Sequence, residues 1–530
     1  MRKIIIIFFI FITTTLHAQV TQQWVTRYNS TGNLSDTVID MEVDNIGNVY
    51  ILGYNQAFIT IKYNSNGVQE WVRNYKGPSQ YQDKATDMVV DDSGNVYVTG
   101  TSITNNQSPY HAAAVVIKYS PAGDTIWTLR FENADSIGCS SRYILLADSG
   151  NVFLTAECSR SGQSEDITAL KITPSGNISW EKYFDNFEND DVTFSCTDQF
   201  NNLYISGLLG VSTARLVLKY DSEGNEKLIV SDTLITLKTL VDNELNIFTG
   251  GNSGTTQTST DIGLAKYDST GNFNWIRRYH NNSFLNNDFY RDFTLDEIGN
   301  SYITGVSAEG TELAWDIAII SYNPSGDTNW VQRYDSVFNS NEEVYSITVD
   351  SKGNTYVAGS TNFRVFGSSY LLIGYDSTGI QKFVLFYNNN LPFFNHSAKI
   401  VKTDSSGNIY VSGVSSNSNG DFDIATIKYS LVTNLNNLSN EIPILFDLHQ
   451  NYPNPFNPST KIKFDVPKKS YVKLSVYNTL GQQVGILAKE QLNLGSYEYT
   501  FNGAHLPSGI YFYRLEAGEF IQTRRMVLVK

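Results

Sequence analysis

The sequence predicts an all-β protein in two parts, a β-propeller followed by a small β-sandwich. Three observations lead to this prediction. A G-N-x-Y turn and strand, an I-K-Y strand and a W-x-x-R-Y strand recur as a set eight times between residues 22 and 430. The period is close to 50 residues and each copy holds four strand signals, which is typical of one propeller blade. Beyond residue 448 this pattern stops and shorter alternating strands begin.

Each repeat predicts four strands joined by tight turns. In these turns an Asp or Asn accepts backbone N–H bonds and a Gly takes the positive φ. The turn between strands one and two is marked by Asn48, Asn95, Asn151, Asn202, Asn246, Asn300, Asn354 and Asn408. Six tryptophans occupy one position of strand four, and this regularity indicates packing rather than a glycan-stacking platform: Trp24, Trp71, Trp127, Trp180, Trp275 and Trp330.

The two ends of the repeat array complement each other. The eighth repeat stops after Tyr429, at the end of its third strand, and has no fourth strand. The chain instead starts the array with a lone fourth-strand pattern at residues 23–28, which contains Trp24. The sequence therefore predicts eight blades, with the N-terminal strand completing the last one. Such closure removes the exposed sheet edges that favour aggregation.

A recurring Asp at the start of strand three predicts ion pairs within the blades. Counting across the hairpin turn places this Asp opposite an Arg of strand four. Residues opposed on one sheet face have Cβ atoms about 5 Å apart. The predicted pairs are Asp261–Arg278, Asp316–Arg333 and, across the closure, Asp423–Arg27. An acidic ring that binds a metal near the propeller axis is the alternative interpretation.

The repeats resemble the bacterial β-propeller repeat family abbreviated SBBP. The resemblance is clearest in residues 83–101 (DKATDMVVDDSGNVYVTGT) and 423–429 (DIATIKY). It implies a propeller over about 410 residues, 19–430. It implies no catalytic residue, cofactor or metal, because the family offers none to carry over.

The three cysteines lie in the third and fourth repeats. Cys139 and Cys158 could face each other across strands one and two of the third repeat, so a disulfide is compatible with the pattern. Two reduced, buried cysteines are compatible with it as well. Cys196 would remain single, and the spacing does not fit a zinc site.

The N-terminus predicts a secretory signal peptide over residues 1–18. A charged start, Met1 to Lys3, precedes nine apolar residues and a cleavage motif that ends at Ala18. The apolar run is too short to span a bilayer, and no later run reaches about 18 apolar residues. We therefore expect no transmembrane segment.

Residues 448–530 predict a sandwich of six or seven short strands, after a linker over residues 431–447. Four motifs in this stretch, LHQNYPNPFNPST, VYNTLGQ, LPSGIYFYRL and TRRMVLVK, resemble the type A C-terminal sorting domain of the type IX secretion system. The resemblance implies export across the outer membrane of a Gram-negative bacterium, with the secretion machinery as partner. It assigns the sorting motif to Asn454, Pro455, Phe456, Asn457, Pro458, Gly481, Gly509, Tyr511 and Lys530.

The net charge of −15 is unevenly distributed. Residues 446–530 contain ten Lys or Arg against six Asp or Glu, so the excess acid lies in the repeats. An acidic body disfavours nucleic acid and anionic membranes as partners.

Known catalytic motifs are missing from the sequence, including H-E-x-x-H, G-x-S-x-G and the P-loop. We therefore expect a non-catalytic extracellular or cell-surface protein that binds a protein or a glycan, and we predict no cofactor. The alternative is a secreted glycan-degrading hydrolase or lyase with a site on one propeller face. Fold alone does not decide between them.

Overall fold

A computed structural model describes most of the chain beyond residue 18. The described residues are 19–30, 32, 35–79, 82–105, 111–132, 136–160, 165–185, 189–210, 215–232, 235–254, 260–280, 287–308, 315–336, 341–363, 367–389, 394–432, 445–468, 470–492, 495–504, 506–518 and 520–529. The predicted signal peptide, most of the predicted linker and Lys530 lie outside them. The chain divides into two compact units, 1–430 and 431–530.

The first unit consists of four-stranded antiparallel sheets, and one strand precedes the first of them in the chain. That strand is β1 (Gln19–Tyr28). The first four sheets are β2 (Thr37–Val43), β3 (Val49–Tyr54), β4 (Phe58–Tyr63) and β5 (Gln69–Tyr75); β6 (Lys84–Val90), β7 (Val96–Asn105), β8 (His111–Tyr119) and β9 (Thr125–Phe131); β10 (Ser136–Leu146), β11 (Val152–Arg160), β12 (Glu165–Ile172) and β13 (Ile178–Phe184); and β14 (Asp190–Thr197), β15 (Leu203–Leu209), β16 (Arg215–Tyr220) and β17 (Glu226–Asp232).

The same order continues through the second half of this unit. The next sheets are β18 (Ile235–Val241), β19 (Ile247–Ser253), β20 (Asp261–Tyr267) and β21 (Phe273–Tyr279); β22 (Asp288–Leu295), β23 (Ser301–Ala308), β24 (Trp315–Tyr322) and β25 (Thr328–Tyr334); β26 (Asn341–Val349), β27 (Thr355–Phe363), β28 (Gly367–Tyr375) and β29 (Gln381–Tyr387); and β30 (His396–Thr403), β31 (Asn408–Ser416) and β32 (Phe422–Val432). The last sheet has the order β1-β32-β31-β30, so β1 supplies its fourth strand.

Neighbouring sheets contact each other mainly through their first strands. Strand β2 contacts β6, β6 contacts β10, and the series continues to β30, which contacts β2 again. The contacts between sheets therefore form a closed cycle with the first strands innermost. We number the sheets one to eight in the order of these first strands.

Apolar side chains fill the space between consecutive sheets. One core cluster joins Tyr50, Phe58 and Trp71 of the first sheet to Met88 and Val98 of the second, and each of these side chains is almost fully buried. Similar clusters occur at other junctions between sheets. The β-branched and aromatic residues of the repeats suit this half-buried, pleated packing.

The second unit has two sheets around one apolar core. Its strands are β33 (Asp447–Leu448), β34 (Ser459–Val466), β35 (Ser470–Tyr477), β36 (Gln483–Leu492), β37 (Gly495–Asn502), β38 (Gly509–Ala517) and β39 (Phe520–Leu528). One sheet has the order β33-β34-β37, and the other has the order β36-β35-β38-β39. Buried side chains from both sheets, such as Phe464, Leu474 and Tyr513, form the core.

Across the described part of the chain, no helix is long and apolar enough to cross a membrane.

Candidate functional site

Every described first strand carries an irregularity at one equivalent position. One residue there has no partner in the register with the second strand, as in a β-bulge. The eight bulged residues are Ile39, Thr86, Arg142, Thr193, Leu237, Arg291, Tyr345 and Lys399. The bulge turns the next side chain towards the neighbouring sheet.

Several of these next side chains are carboxylates that bond to the backbone of the following sheet. Asp40 accepts the N–H groups of Met41, at 2.8 Å, and of Met88 in the second sheet. Asp87 accepts the N–H of Ile144 in the third sheet at 2.8 Å. Asp292 repeats this contact with Ile347 N at 3.0 Å. These bonds link the inner strands of consecutive sheets.

Ion pairs link other inner strands. Lys402 Nζ of the eighth sheet lies 2.7 Å from Glu42 Oε1 of the first. Lys238 Nζ lies 2.8 Å from Asp292 Oδ1, and Arg291 pairs with Glu343 at 3.2 Å. Each pair joins two adjacent sheets, so these charged residues stabilise the cycle of sheets.

Asp40, Glu42, Asp87 and Lys402 form an inner cluster, and the pKa values of Asp40, Asp87 and Lys402 are shifted. Burial raises the pKa of Asp40 to about 7, and the nearby charge of Lys402 only partly opposes this. Burial, followed by the charge of Asp40, raises the pKa of Asp87 well above its usual range. The charges of Glu42 and Asp40 raise the pKa of Lys402 against the effect of burial. A carboxyl that is half-protonated near neutral pH is a candidate general acid.

In the turns between strands one and two, the Asp carboxylate accepts hydrogen bonds from nearby residues of the same hairpin. In the seventh sheet, Asp350 Oδ1 accepts Lys352 N and Asn354 N, while Oδ2 accepts Asn354 Nδ2 and the Tyr356 hydroxyl, all within 2.8–3.0 Å. The same bonds recur around Asp44, Asp198, Asp296 and Asp404. Four donors on one carboxylate favour turn chemistry over calcium binding.

The repeated tryptophans connect consecutive sheets. Trp71 Nε1 donates to Pro121 O in the strand three–four turn of the next sheet at 3.0 Å, and Lys62 Nζ donates to the same oxygen at 3.2 Å. The turn glycine beneath the indole, Gly123, has φ +83°, and a Cβ there would lie 2.8 Å from the ring of Trp71. Glycine is therefore required both for the turn and for the close approach of the indole.

Trp24 makes the equivalent contact at the closure between the eighth and first sheets. Its Nε1 donates to Ser65 O at 3.1 Å, and its ring packs against Tyr410. Arg27 of β1 makes its bonds within the eighth sheet, where it joins β1 to β31 and β32. Its NH2 group lies 2.7 Å from Asp423 Oδ2 and 2.9 Å from Ser415 O.

The predicted pair Asp316–Arg333 lies at 2.7 Å, but its register differs from the prediction. Arg333 is directly opposite Ala318, because Tyr322 pairs with Thr328 at the turn, one residue later than predicted, and a bulge next to Tyr322 adds a second residue to the offset. The long guanidinium side chain therefore reaches Asp316 diagonally. Predicting directly opposed residues was wrong because a bulge inserts a residue that simple counting cannot detect.

The predicted ion pair between Asp261 and Arg278 is not present among the described side chains. Arg278 Nε instead donates to Ser253 Oγ at 2.7 Å, and Arg278 lies opposite Gly263. Asp261 is buried, and this burial raises the pKa of its carboxyl. The same strand offset allows the Asp316–Arg333 pair, so it does not explain the difference. The charge of Arg278 still opposes the rise in the pKa of Asp261, but the guanidinium bonds to Ser253 instead.

Cys139 and Cys158 are joined by a disulfide across β10 and β11, where they are directly opposed. Cys196 is buried and reduced, and burial raises the pKa of its thiol to about 12.

The described sorting-motif residues lie in and around the core of the second unit. Phe456 is buried and is held by Val527 O and Val529 N, both at 2.9 Å. Asn454 Oδ1 accepts Val527 N at 2.9 Å, and Tyr511 donates its hydroxyl to Pro507 O at 2.8 Å. The motif thus fastens the segment before β34 to β39. Pro455, Asn457 and Pro458 belong to that segment, Gly481 closes the β35–β36 turn, and Gly509 begins β38.

Three groups of side chains bring several carboxylate or imidazole ligands together, but each is held by protein partners. His449 Nε2 lies 2.7 Å from Asp465 Oδ2 beside Asp447, and Arg142 pairs with Glu157 in a second group. The third group contains Asp316, which is paired with Arg333 as described above. Among the described residues, these ionic contacts explain why the charged side chains lie together, and no metal is needed to explain it.

Three cavities beside the described sheets of the first unit differ in the charge of their lining. Cavities of 320 Å³ and 250 Å³ lie beside the strand one–two turns and are lined by acids, including Asp44 and Asp91 in one and Asp296 and Asp350 in the other. A third cavity of 290 Å³ lies towards the opposite ends of the strands. We call it the Lys84 cavity, and its lining is Tyr54, Gln82, Lys84, Thr86, Thr101, Ile103, Ser140, Ser141 and Arg142. No sequence pattern predicts this cavity, since its residues come from three repeats and meet only in the folded chain.

The family comparisons decide the role of the second unit. Residues 450–530 match the family described as "Secretion system C-terminal sorting domain". The second unit is a type IX secretion sorting domain. The prediction from its four motifs is confirmed, and the protein is exported through the periplasm to the cell surface or extracellular space. Residues 75–106 and 341–367 match the family described as "Beta-propeller repeat", so the repeat prediction is confirmed as well.

Solved structures with a similar arrangement are distant from this exported β-propeller protein. Polysaccharide lyase Uly1 is 9% identical over 74% of this chain and 90% of that chain, with a TM-score of 0.41. PorZ, a surface component of the type IX secretion system of Porphyromonas gingivalis, is 11% identical over 93% of both chains, with a TM-score of 0.23. A protein of unknown function from Bacteroides caccae is 11% identical over 57% of this chain and 94% of that chain, with a TM-score of 0.32. These likenesses carry no argument about function. No curated protein matches the sequence.

Proposed function

We propose that the exported chain is an eight-bladed propeller, closed by β1, that binds an extracellular protein or glycan without converting it chemically. In this proposal residues 1–18 are removed as a signal peptide and residues 19–430 form the binding domain. A linker over residues 431–447 leads to an immunoglobulin-like sorting domain over residues 448–530. The type IX machinery is the partner of this last domain, and no cofactor takes part.

The Lys84 cavity is the observation that favours a binding role. The repeated polar residues of the propeller are engaged in bonds within turns and between sheets, so they serve the scaffold. Lys84 occupies a position that varies from sheet to sheet. The position of Lys84 in the strand register is held by Thr37, Phe289 and Ser397 in the first, sixth and eighth sheets. The fold does not require a lysine there, so another role explains it better.

A binding screen tests this proposal directly. The purified full chain is applied to a glycan array and is used as bait for extracellular proteins of the host bacterium. We expect saturable binding of at least one partner, with an unchanged mass of that partner after prolonged incubation. Absence of any saturable partner would contradict the binding role, and cleavage of the partner would contradict the non-catalytic one.

A glycan-degrading hydrolase or lyase is the second candidate, and the inner cluster favours it. Asp40 and Asp87 are neighbouring half-buried carboxyls with raised pKa values, which suits acid–base chemistry. Both carboxyls also accept hydrogen bonds from backbone N–H groups of the inner strands, which is consistent with a structural role. Incubating polysaccharides with the chain and with its Asp40→Asn and Asp87→Asn variants separates the two roles. Reducing ends or unsaturated products formed by the parent chain, and lost in folded variants, would establish the enzyme.

A further inference from the structure

The Lys84 cavity has a different charge character from the rest of the first unit. The repeats carry an excess of acid, and the two cavities near the strand one–two turns are lined by carboxylates. The described lining of the Lys84 cavity contains two cations, Lys84 and Arg142, and no Asp or Glu. Arg142 is paired with Glu157, so Lys84 supplies the positive charge of this lining that is available to a ligand. A lysine among polar residues in an acidic protein favours a negatively charged ligand.

An ion pair with Glu157 holds the Arg142 side chain in position at the cavity wall. Its Nε donates to Glu157 Oε1 at 2.8 Å, and its NH2 group pairs with Glu157 Oε2. Glu157 is almost fully buried and also accepts the N–H of Val192 at 2.7 Å, whereas 39% of the Arg142 side chain is exposed. The bulge of β10 presents this guanidinium to the cavity. Glu157 occupies its Nε and NH2 groups, so NH1 is the group that would contact a carboxylate or sulfate oxygen of a ligand.

Hydroxyl groups form one side of the cavity. Ser141 Oγ lies 2.5 Å from Thr99 Oγ1 and 3.3 Å from Thr86 Oγ1, and Ser141 N donates to Thr101 Oγ1 at 3.1 Å. Lys84 lies directly opposite Thr101 in the register of β6 and β7. The neighbouring acid, Asp83, is fully buried and accepts the N–H of Gly77. Hydroxyls and a lysine at one surface match the hydroxyl and acidic groups of a sugar.

An aromatic side chain and an amide complete the lining. The Tyr54 hydroxyl donates to Gln82 Oε1 at 3.0 Å, which links the end of β3 to the segment before β6. Aromatic rings pack against the apolar faces of ligands, and amides bond to hydroxyls. The volume of 290 Å³ is at the lower end of the roughly 300–1,000 Å³ of small-molecule sites, so a single sugar unit suits it.

We propose that the Lys84 cavity binds one acidic sugar unit, a hexose carrying a carboxylate or a sulfate, within an extracellular glycan. This inference rests on the proposed binding function and specifies its ligand class. Lys84 and Arg142 contact the acidic group, and Tyr54, Gln82 and the cavity hydroxyls contact the ring and its hydroxyls.

Titration calorimetry of the purified full chain with three trisaccharides tests this inference. The probes are a galacturonic acid trisaccharide, a sulfated galactose trisaccharide and the neutral galactose trisaccharide. We expect one of the two acidic probes to bind about tenfold or more tightly than the neutral one, since hydrogen bonds to charged groups are stronger than neutral ones. Comparing the two acidic probes shows whether the acidic group is a carboxylate or a sulfate.

Three variants show whether binding occurs at this cavity. Lys84→Ala should weaken binding of the acidic probe about tenfold, and Lys84→Arg should retain it because the charge remains. The matched control is Lys352→Ala, which removes one exposed lysine from the acid-lined cavity of 250 Å³ and should leave binding unchanged. Lys84 is exposed, so its loss should not unfold the chain.

The outcomes separate this inference from the proposed function. Equal affinity for acidic and neutral probes, no binding of any of the three, or acidic binding that Lys84→Ala leaves intact would each overturn the acidic-sugar site. In all three cases, a partner found in the array or bait screen would leave the general binding function standing. Only a screen without any partner contradicts both.

Discussion

Trp24 and Lys428 come from opposite ends of the propeller sequence and donate to one backbone oxygen, that of Ser65. The indole Nε1 lies 3.1 Å and the lysine Nζ 3.4 Å from this carbonyl. A Trp and a Lys also share one acceptor between internal sheets, where the acceptors are the carbonyl oxygens of Pro121, Ser222 and Pro324. The closure between the eighth and first sheets thus uses the contact that joins sheets adjacent in sequence.

The first prediction concerns the stability of this closure. Trp24→Ala removes a large half-buried ring and its bond to Ser65, and we expect a loss of about 3 kcal/mol in the free energy of unfolding. Asp423→Ala should cost less, because the partner Arg27 keeps its bonds to Ser415. Urea unfolding of both variants measures the difference. An Asp423→Ala cost equal to or above that of Trp24→Ala would contradict the prediction.

The second prediction concerns the ion pair between Arg27 of β1 and Asp423 of β32, which joins the two ends of the propeller sequence within the eighth sheet. Side-chain exposure is 22% for Arg27 and 7% for Asp423, so solvent screens the pair only partly. A double-mutant cycle with Arg27→Ala and Asp423→Ala should give a coupling of about 1–2 kcal/mol, more than a fully exposed pair. The local pair Arg333–Asp316, with similar exposure, is the matched control and should give similar coupling. Zero coupling at the closure alone would show that Arg27–Asp423 does not stabilise it.

The third prediction concerns pH. The pKa of Asp40 is raised to about 7 in the folded protein, against about 3.9 in an unfolded chain. The folded state therefore binds a proton that the unfolded state has released between these values, so stability falls as the pH rises from about 4 to 7. Asp40→Asn should lessen this fall by about 2 kcal/mol or more, because a difference of one between the folded and unfolded pKa values corresponds to about 1.36 kcal/mol. Urea unfolding of both proteins at pH 5 and pH 8 tests it, and parallel pH profiles would argue against it.

The fourth prediction concerns the disulfide. Cys139 and Cys158 are separated by 19 residues, and replacing both by Ala should lower the free energy of unfolding by about 2–3 kcal/mol. Reduction of the parent protein should give a similar loss. Cys196→Ala is the control, because it removes a single buried thiol and keeps the disulfide, so reductant should destabilise it as much as it destabilises the parent. Equal stability of the oxidised and reduced parent would contradict a structural role for the bond.

The fifth prediction concerns export. Deleting residues 448–530 in the native host should leave the protein in the periplasm, because the sorting domain lies there. Phe456→Ala should have the same effect if a folded domain is required, since Phe456 is part of its core. Tyr452→Ala is the matched aromatic control, because 81% of Tyr452 is exposed. Cell fractionation with an antibody against the propeller distinguishes the compartments, and unchanged release of the truncated chain would refute the prediction.

The sequence identified the repeat, the turns and the sorting domain because each depends on local chemistry. An Asp, a Gly and an Asn in a fixed order close a turn wherever they occur, and alternating apolar residues form half-buried strands. Counting across such a hairpin brought Asp316 and Arg333 together but misplaced their register. A bulge next to Tyr322 adds a residue to one strand, and the sequence of that strand does not reveal the bulge.

By itself the sequence determined the all-β class, the order of the repeats, the packing role of the tryptophans and the export address, since these follow from short-range patterns. Only the tertiary structure decided what lies between sheets. The sharing of Ser65 O by Trp24 and Lys428, the proton affinities of Asp40 and Asp87, and the Lys84 cavity all depend on how one sheet faces the next. Such contacts join residues of different repeats, and their geometry depends on bulges and side-chain reach that no repeat pattern encodes.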